Sequence, residues 1–374
     1  MKKCIFKAYM NTKTTITSYI SQQGGASEFQ VTVTVTDASL GFEEQLDAVL
    51  QACAAASEGR SVHFRRFFLS DASNQAPQLL KALRALPEAP TSLVHQPPLD
   101  GTRIALWMYA TSPMEKKDGC FVHEGYSHHW AASLTGSGTG SQEQMADIFS
   151  GLDAELAPKG LSVASNTLRT WIFARDVDVN YAGVVVARRE YFERIGLTSR
   201  THFIASTGIE GRHPDHRNLV EMDAYSVGGL VPEQIRYLYA KDRLSPTMDY
   251  GVTFERGTAV TYGDRRQVFV SGTASIDAQG KVMYPGDVSM QTRRMLGNVS
   301  ALLAEASAAF ADIAMAVVYL RDAADFSRVR PIIAETCPGL NAVYVLASVC
   351  RPAWLVEMEC LAIVPVSIPE FRCF

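Results

Sequence analysis

Apolar and polar positions follow one another in the same order at three places along the chain. Residues 166–176 read NTLRTWIFARD and residues 312–322 read DIAMAVVYLRD, each an apolar strand-like run closed by Arg-Asp, 146 positions apart. The sequel repeats as well: NYAGVVVARREYFERIG then VEMDAYSV in one copy, FSRVRPIIAET then VEMECLAIV in the other. Glu221 plus 136 is Glu357, so ten residues separate the two displacements, and they fall in the loop IEGRHPDHRN. Ahead of each run the spacing predicts an amphipathic helix, QMADIFSGLDAELA and MLGNVSALLAEASAAF, and ahead of each helix a hairpin. In the later copy the hairpin is expected in QVFVSGTASIDAQGKVMYPGD, turning at Asp-Ala-Gln-Gly; HHWAASLTGSGTGSQ takes that place in the middle copy. A weaker first copy runs FQVTVTVTDASLG, EEQLDAVLQACAAA, SVHFRRFFLSD, APQLLKALRAL and RIALWMYA, with Trp107 in the glutamate's place.

The pattern therefore predicts an α+β protein of three tandem β-β-α-β-α-β units, over residues 1–112, 118–232 and 250–374. Three such sheets bury their apolar faces most simply against one another, as an intramolecular pseudo-trimer. The length of 374 residues suits two or three domains. Lys plus Arg total 35 against 39 for Asp plus Glu, without a basic block, which argues against a nucleic-acid surface. The opening MKKCIFKAYM has no apolar stretch behind it, and no run approaches a membrane span, so the expected setting is the cytoplasm with no membrane partner. Seven cysteines without a C-x-x-C pair read as reduced thiols.

The stretch CRPAWLVEMECLAIV carries the chemistry. Side chains alternate across a strand, so Glu357 and Glu359 share one face of an otherwise apolar segment. A buried carboxyl without a partner holds its proton well above the usual pH, and such a proton is available for catalysis. The alternative for Glu357 is one end of an ion pair that ties two sheets together.

The third copy resembles the Rid family, also called YjgF-like, in GTASIDAQGKV, in VVYLRD and in VEMECLAIV. That resemblance implies a trimer with clefts between units. The arginine with which Rid imine deaminases hold a substrate carboxylate falls at Tyr344, so the deaminase site of that copy is not expected. Residues 160–362 resemble the chorismatases more closely, in LRTW at 168–171, YG at 250–251, FVSGTA at 269–274, VYL with the later Arg330, and the Arg-x-x-x-Leu-Val-Glu that ends at Glu357.

This second resemblance implies release of pyruvate from chorismate, a small dicarboxylate, with no cofactor and no metal, by a monomeric pseudo-trimer. Glu357 is the expected general acid, Arg169 and Arg330 the expected carboxylate clamps, and Tyr250 an expected substrate contact. Gly272 with Cys350 resembles the subtype forming 3-hydroxybenzoate, where the glycine is expected to leave room for the ring to turn. Gly272 is open to a second reading as a strand kink, and Cys350 to one as ordinary core. Two other functions stay open: a Rid-type deaminase using Arg200 and Glu221, and a scaffold without activity. Cys120 with His123, and His213 with His216, are too scattered to predict a metal site, His128 and His129 add no ligand spacing, and the glycines of GSGTG read as a turn.

Overall fold

In the computed structural model, which describes the backbone of residues 2–9 and 11–374 and the side chains of 11–249 and 251–374, each repeat is a six-stranded sheet. The first unit runs β1 (Lys2–Tyr9), β2 (Thr12–Tyr19), β3 (Glu28–Val35), α1 (Phe42–Ser57), β4 (Ser61–Leu69), α2 (Ala72–Leu83), β5 (Thr91–His95) and β6 (Ile104–Thr111). The second runs β7 (Glu115–Lys117), β8 (Cys120–His123), β9 (Tyr126–Thr135), α3 (Ser141–Leu156), the single turn α4 (Val163–Asn166), β10 (Thr167–Ala174), α5 (Val177–Arg194), β11 (Ala205–Glu210) and β12 (Val220–Gly228). The third runs β13 (Ile235–Leu238), β14 (Gly257–Thr261), β15 (Arg265–Ala274), α6 (Val288–Glu305), β16 (Ile313–Leu320), α7 (Phe326–Thr336), β17 (Ala342–Leu346) and β18 (Val356–Pro365).

Strand order is the same three times: β1-β2-β3-β6-β4-β5, β7-β8-β9-β12-β10-β11 and β13-β14-β15-β18-β16-β17. The last pair in each order is parallel, which requires a crossover, and α2, α5 and α7 supply it. An aspartate stands at each turn from strand into crossover helix. Asp71 accepts the Asn74 N–H and Asp322 the Ala324 N–H. At Asp176, with φ at +48°, Glu210 does the capping instead, accepting the N–H groups of Asp176 and Val177.

Two expectations shift. The third sheet begins at Ile235, ahead of residue 250, because β13 pairs with β14. The hairpin of that unit is β14–β15, whereas the Asp-Ala-Gln-Gly turn closes only a single bridge between Ile276 and Val282. Pro285, Gly286 and the helix cap at Asp287 follow too soon for another strand.

Register makes the repeat quantitative. Phe68 faces Ala105, Phe173 faces Glu221 and Tyr319 faces Glu357; two residues on, the facing pairs are Arg66–Trp107, Trp171–Asp223 and Val317–Glu359. Trp107 thus replaces Glu359, and Ala105 replaces Glu357. The inner faces of the three sheets meet in one aromatic core, where Phe64 stacks on Trp130 at 4.8 Å and Trp171 lies 5.6 Å from Trp107 and 5.8 Å from Trp130. Helices α1 and α3 cover the outer faces with their own apolar clusters. This is the pseudo-trimer, with all three units on one chain. No helix among the described residues is long and apolar enough to cross a membrane.

Candidate active site between the second and third units

A cavity of about 350 Å³ opens where the second unit meets the third. Its size is that of a small-molecule site. From the second unit, α5 contributes Tyr181, Val185 and Arg188, and β11 contributes Ser206 and Gly208. The segment ahead of β14 contributes Gly251, Phe254 and Arg256. The third unit adds Gly272 from β15, Cys350, Arg351 and Trp354 from the turn ahead of β18, and Glu357 from β18.

Glu357 is 5% exposed, and burial pushes its carboxyl up to about 8; the neighbouring Glu359 charge pushes the same way, against Arg169 and Arg256. At that value the group is protonated at neutral pH. Its carboxyl packs directly on Gly272: a Cβ there would stand 2.2 Å from Glu357 Oε1 and 3.0 Å from the Thr207 methyl. The room expected at Gly272 is therefore filled by the acid itself. The strand also bulges here, with a register shift between Val270 and Thr273, so the kink reading describes the backbone correctly. Cys350 lines the same cavity, where burial and the Glu357 charge push its thiol up to about 12. It is a neutral S–H group, not a thiolate.

Arg169 does not line this cavity. Lying on β10, next to the edge strand β11, it points inward, donating to Glu359 Oε2 at 2.7 Å and Thr207 Oγ1 at 2.5 Å, with its guanidinium over the Trp171 ring. The Trp171 indole donates to the other Glu359 oxygen at 2.8 Å. Glu359 is thus the ion-paired member of the acid couple. Arg330 stands apart as well, exposed on α7 beside Phe326 at 5.7 Å, because that helix face looks outward. Arg330→Ala is therefore expected to leave any activity of the cavity within about twofold, as surface changes generally do; a tenfold loss in steady-state assays would return Arg330 to the site. The side chain of Tyr250 lies outside the described residues; the next residue, Gly251 at φ +82°, turns the chain into the cavity wall.

Sequence reasoning missed the cations that do line the cavity. Arg188 is 1% exposed, and among the described residues its guanidinium has no carboxylate partner; the Phe254 ring lies 5.7 Å away, and the Tyr181 hydroxyl is near enough to feel its charge and to bond to it. The signal was present: Arg188 shares the buried face of α5 with Val184, Ala187 and Tyr191. The Trp354 indole N–H is likewise buried, with no partner among the described residues. Arg351 begins the Arg-x-x-x-Leu-Val-Glu run, with its guanidinium 5.3 Å from the Trp354 ring, and Arg256 donates to the Ser245 carbonyl at 2.9 Å.

The corresponding acid of the second unit, Glu221, is also buried and pushed up to about 8, by burial and by Asp223. Ser133 stands in the position of Gly272, at φ +56°, and its hydroxyl donates to Glu221. Arg200, the expected partner of Glu221 in a deaminase, is exposed on the loop after α5. Among the described residues no three His, Cys, Asp or Glu side chains gather closely enough to hold a metal ion. His128 instead meets the Tyr225 hydroxyl at 2.8 Å and His129 meets Glu155 at 3.1 Å.

Comparison with known proteins agrees with this architecture. Residues 257–364 match the family model described as endoribonuclease L-PSP. A RutC family protein from Pyrococcus abyssi is 33% identical over 97 residues, spanning 76% of that protein and 25% of this chain. The chain belongs to the RutC family. A Rid-family structure from Yersinia pestis is 23% identical to this RutC-family chain, the match covering 35% of this chain and 99% of its own, with a TM-score of 0.30. The crystal structure of a chorismatase matches the RutC-family chain across 81% of its length and 93% of the chorismatase, at 18% identity and a TM-score of 0.63. The two share a fold.

Proposed function

We propose that this protein releases pyruvate from chorismate, with Glu357 as the general acid. The observation that carries the reading is a fully buried arginine, Arg188, with no counter-ion among the described residues, across one cavity from a carboxyl that keeps its proton at neutral pH. An unpaired buried cation is costly, and an anionic ligand is what relieves it. Chorismate brings two carboxylates and an enolpyruvyl ether. Arg188 grips one carboxylate through its planar fork, and Arg351 and Arg256 supply further positive charge on the wall.

Glu357 then donates its proton to the ether's methylene carbon, and the positive charge that develops at the ether carbon is met by the carboxylate left behind. The bond between the ring and the ether oxygen breaks, that oxygen leaving as the pyruvate carbonyl, while the ring's own hydroxyl oxygen bonds to the carbon it vacates; loss of a ring proton, which restores the Glu357 acid, leaves 3-hydroxybenzoate. The two products together contain every atom of chorismate, so no water is consumed. Cys350, as a neutral thiol beside the acid, fills the wall against the ring without becoming a nucleophile. The coincidence in fold with a chorismatase supports the same reading.

Incubation of the purified chain with chorismate, with products resolved by mass spectrometry, tests it. Pyruvate and 3-hydroxybenzoate in equal amounts are expected; a dihydroxycyclohexadiene acid instead would keep the acid but change the subtype, and intact chorismate would end the proposal. Gly272→Ala tests the geometry. The added methyl cannot coexist with the Glu357 carboxyl at 2.2 Å. The acid must move, so turnover is expected to fall by at least roughly tenfold with the fold intact, in the range of a misaligned catalytic group. Unchanged kinetics would mean that the carboxyl works from another position.

A further inference from the structure

Thr207 belongs to the second unit, yet every hydrogen bond of its hydroxyl apart from one is made to the third. It is 1% exposed on β11. Its oxygen accepts the Gly272 N–H at 2.9 Å and an N–H of Arg169, and its proton goes to Glu359 Oε2. A hydroxyl has one proton to give and two lone pairs, so these contacts exhaust it and fix the direction of each bond. Its methyl lies 3.0 Å from the space a Cβ of Gly272 would occupy, against the Glu357 carboxyl. The N–H of the residue on which the acid packs is thus already taken.

We propose that Thr207 is a positioning residue for Glu357: it binds the Gly272 N–H and gives its own proton to Glu359, so that neither donor is left for the acid. The inference rests on the reading of Glu357 as the proton donor. Its logic is a division of labour between two carboxyls on one strand face. Glu359 receives Arg169, Trp171 and Thr207 and carries the charge, and Glu357 is left with burial and the repulsion of that charge. Were Thr207 unable to bond, the Gly272 N–H would need a new acceptor, and a carboxyl oxygen of Glu357 already packs on that residue, 2.2 Å from where its Cβ would stand. A hydrogen bond from an N–H favours the ionised form. Glu359 would at the same time lose one of its three donors. The new bond pushes Glu357 toward releasing its proton. The other groups facing Glu357 are Tyr319 on β16, Arg169 on β10, Arg256 ahead of β14, Tyr181 and Arg188 on α5, and Cys350. Of these only Arg169 bonds to the Thr207 hydroxyl, and without it Arg169 keeps its pairing with Glu359.

The test is an infrared titration of the Glu357 carboxyl in the full chain without substrate, its band assigned by difference against Glu357→Gln. It is paired with the pH dependence of chorismate turnover. In the parent the acid band is expected to persist to about pH 8. Thr207→Val, close in shape but without hydrogen bonds, is expected to move that midpoint down by one pH unit or more and to lower kcat more than it raises KM. Thr207→Ser, which restores the hydroxyl without the methyl, is expected to return the midpoint to the parental value. A parental midpoint in Thr207→Val, or a fall in Thr207→Ser equal to that in Thr207→Val, overturns the proposal, the second by tracing the effect to packing. Should Thr207→Val fail to fold, Thr207→Cys, with its weak S–H donor, carries the same expectation. If the parent leaves chorismate untouched, the catalytic reading fails while the band still decides whether Thr207 governs the acid.

Discussion

Glu357→Gln is expected to lower turnover of chorismate by roughly 10²–10⁴-fold, the share that a positioned general acid supplies, while the variant still binds the substrate. The amide keeps the shape of the carboxyl and has no proton to give. A second signature separates this from simple damage. The folded value of about 8 lies above the ordinary 4.5, so folding favours the protonated acid. Its contribution to stability is complete below about pH 4.5 and is lost as the pH rises through 8. The parent should therefore become progressively less stable relative to Glu357→Gln from pH 5 to pH 9, and melting temperatures across that range read the difference directly. Activity of the parent should fall on the alkaline side, near pH 8, as the proton is lost. Normal turnover by the glutamine variant would return the carboxyl to a structural role.

Arg188→Met is expected to do two opposite things. Without ligand the variant should be at least as stable as the parent, because methionine of similar reach replaces a buried charge that has no counter-ion among the described residues. With ligand it should fail: kcat/KM for chorismate is expected to drop by roughly 10²–10³-fold, the range for removing one side of a desolvated ion pair. Thermal unfolding and steady-state kinetics on the same preparation check both. A variant that is strongly destabilised without ligand would show that the protein itself uses Arg188, and would remove it from the binding role.

Much of this was legible in the chain, for identifiable reasons. The triple repeat is written in local signals, apolar runs closed by aspartate and followed by amphipathic stretches, and these fix strand, turn and helix in each unit before any long-range contact forms. The two glutamates are legible too, since alternation along β18 places them on one face whatever lies opposite. What alternation leaves open is the partner. Arg169 and Glu359 come from strands 190 positions apart, and only the meeting of two sheets decides that this pair closes on itself and Glu357 does not. Arg330 and Arg188 both sit in crossover helices that follow an Arg-Asp corner; which flank of each helix meets a neighbouring sheet is set by the order of the three units, and nothing local to either helix tells the two arginines apart. Gly272 shows the same limit. Its missing side chain signals a close approach, and the sequence is silent about what approaches.

Three boundaries between units arise in this fold, and they have diverged. One keeps Glu357 beside a glycine and an open cavity, one has Glu221 held by the Ser133 hydroxyl, and the first unit has Ala105 where the others have an acid. In an assembly of three identical chains, a substitution at the glycine position would appear at every boundary at once, and a change that closed one cleft would abolish the function. A fused chain confines each substitution to a single boundary. Two of the three are then free to accumulate tryptophans, buried ion pairs and tight turns that hold the molecule together, and the remaining one can keep a buried arginine with no counter-ion among the described residues and a proton held out of its normal range.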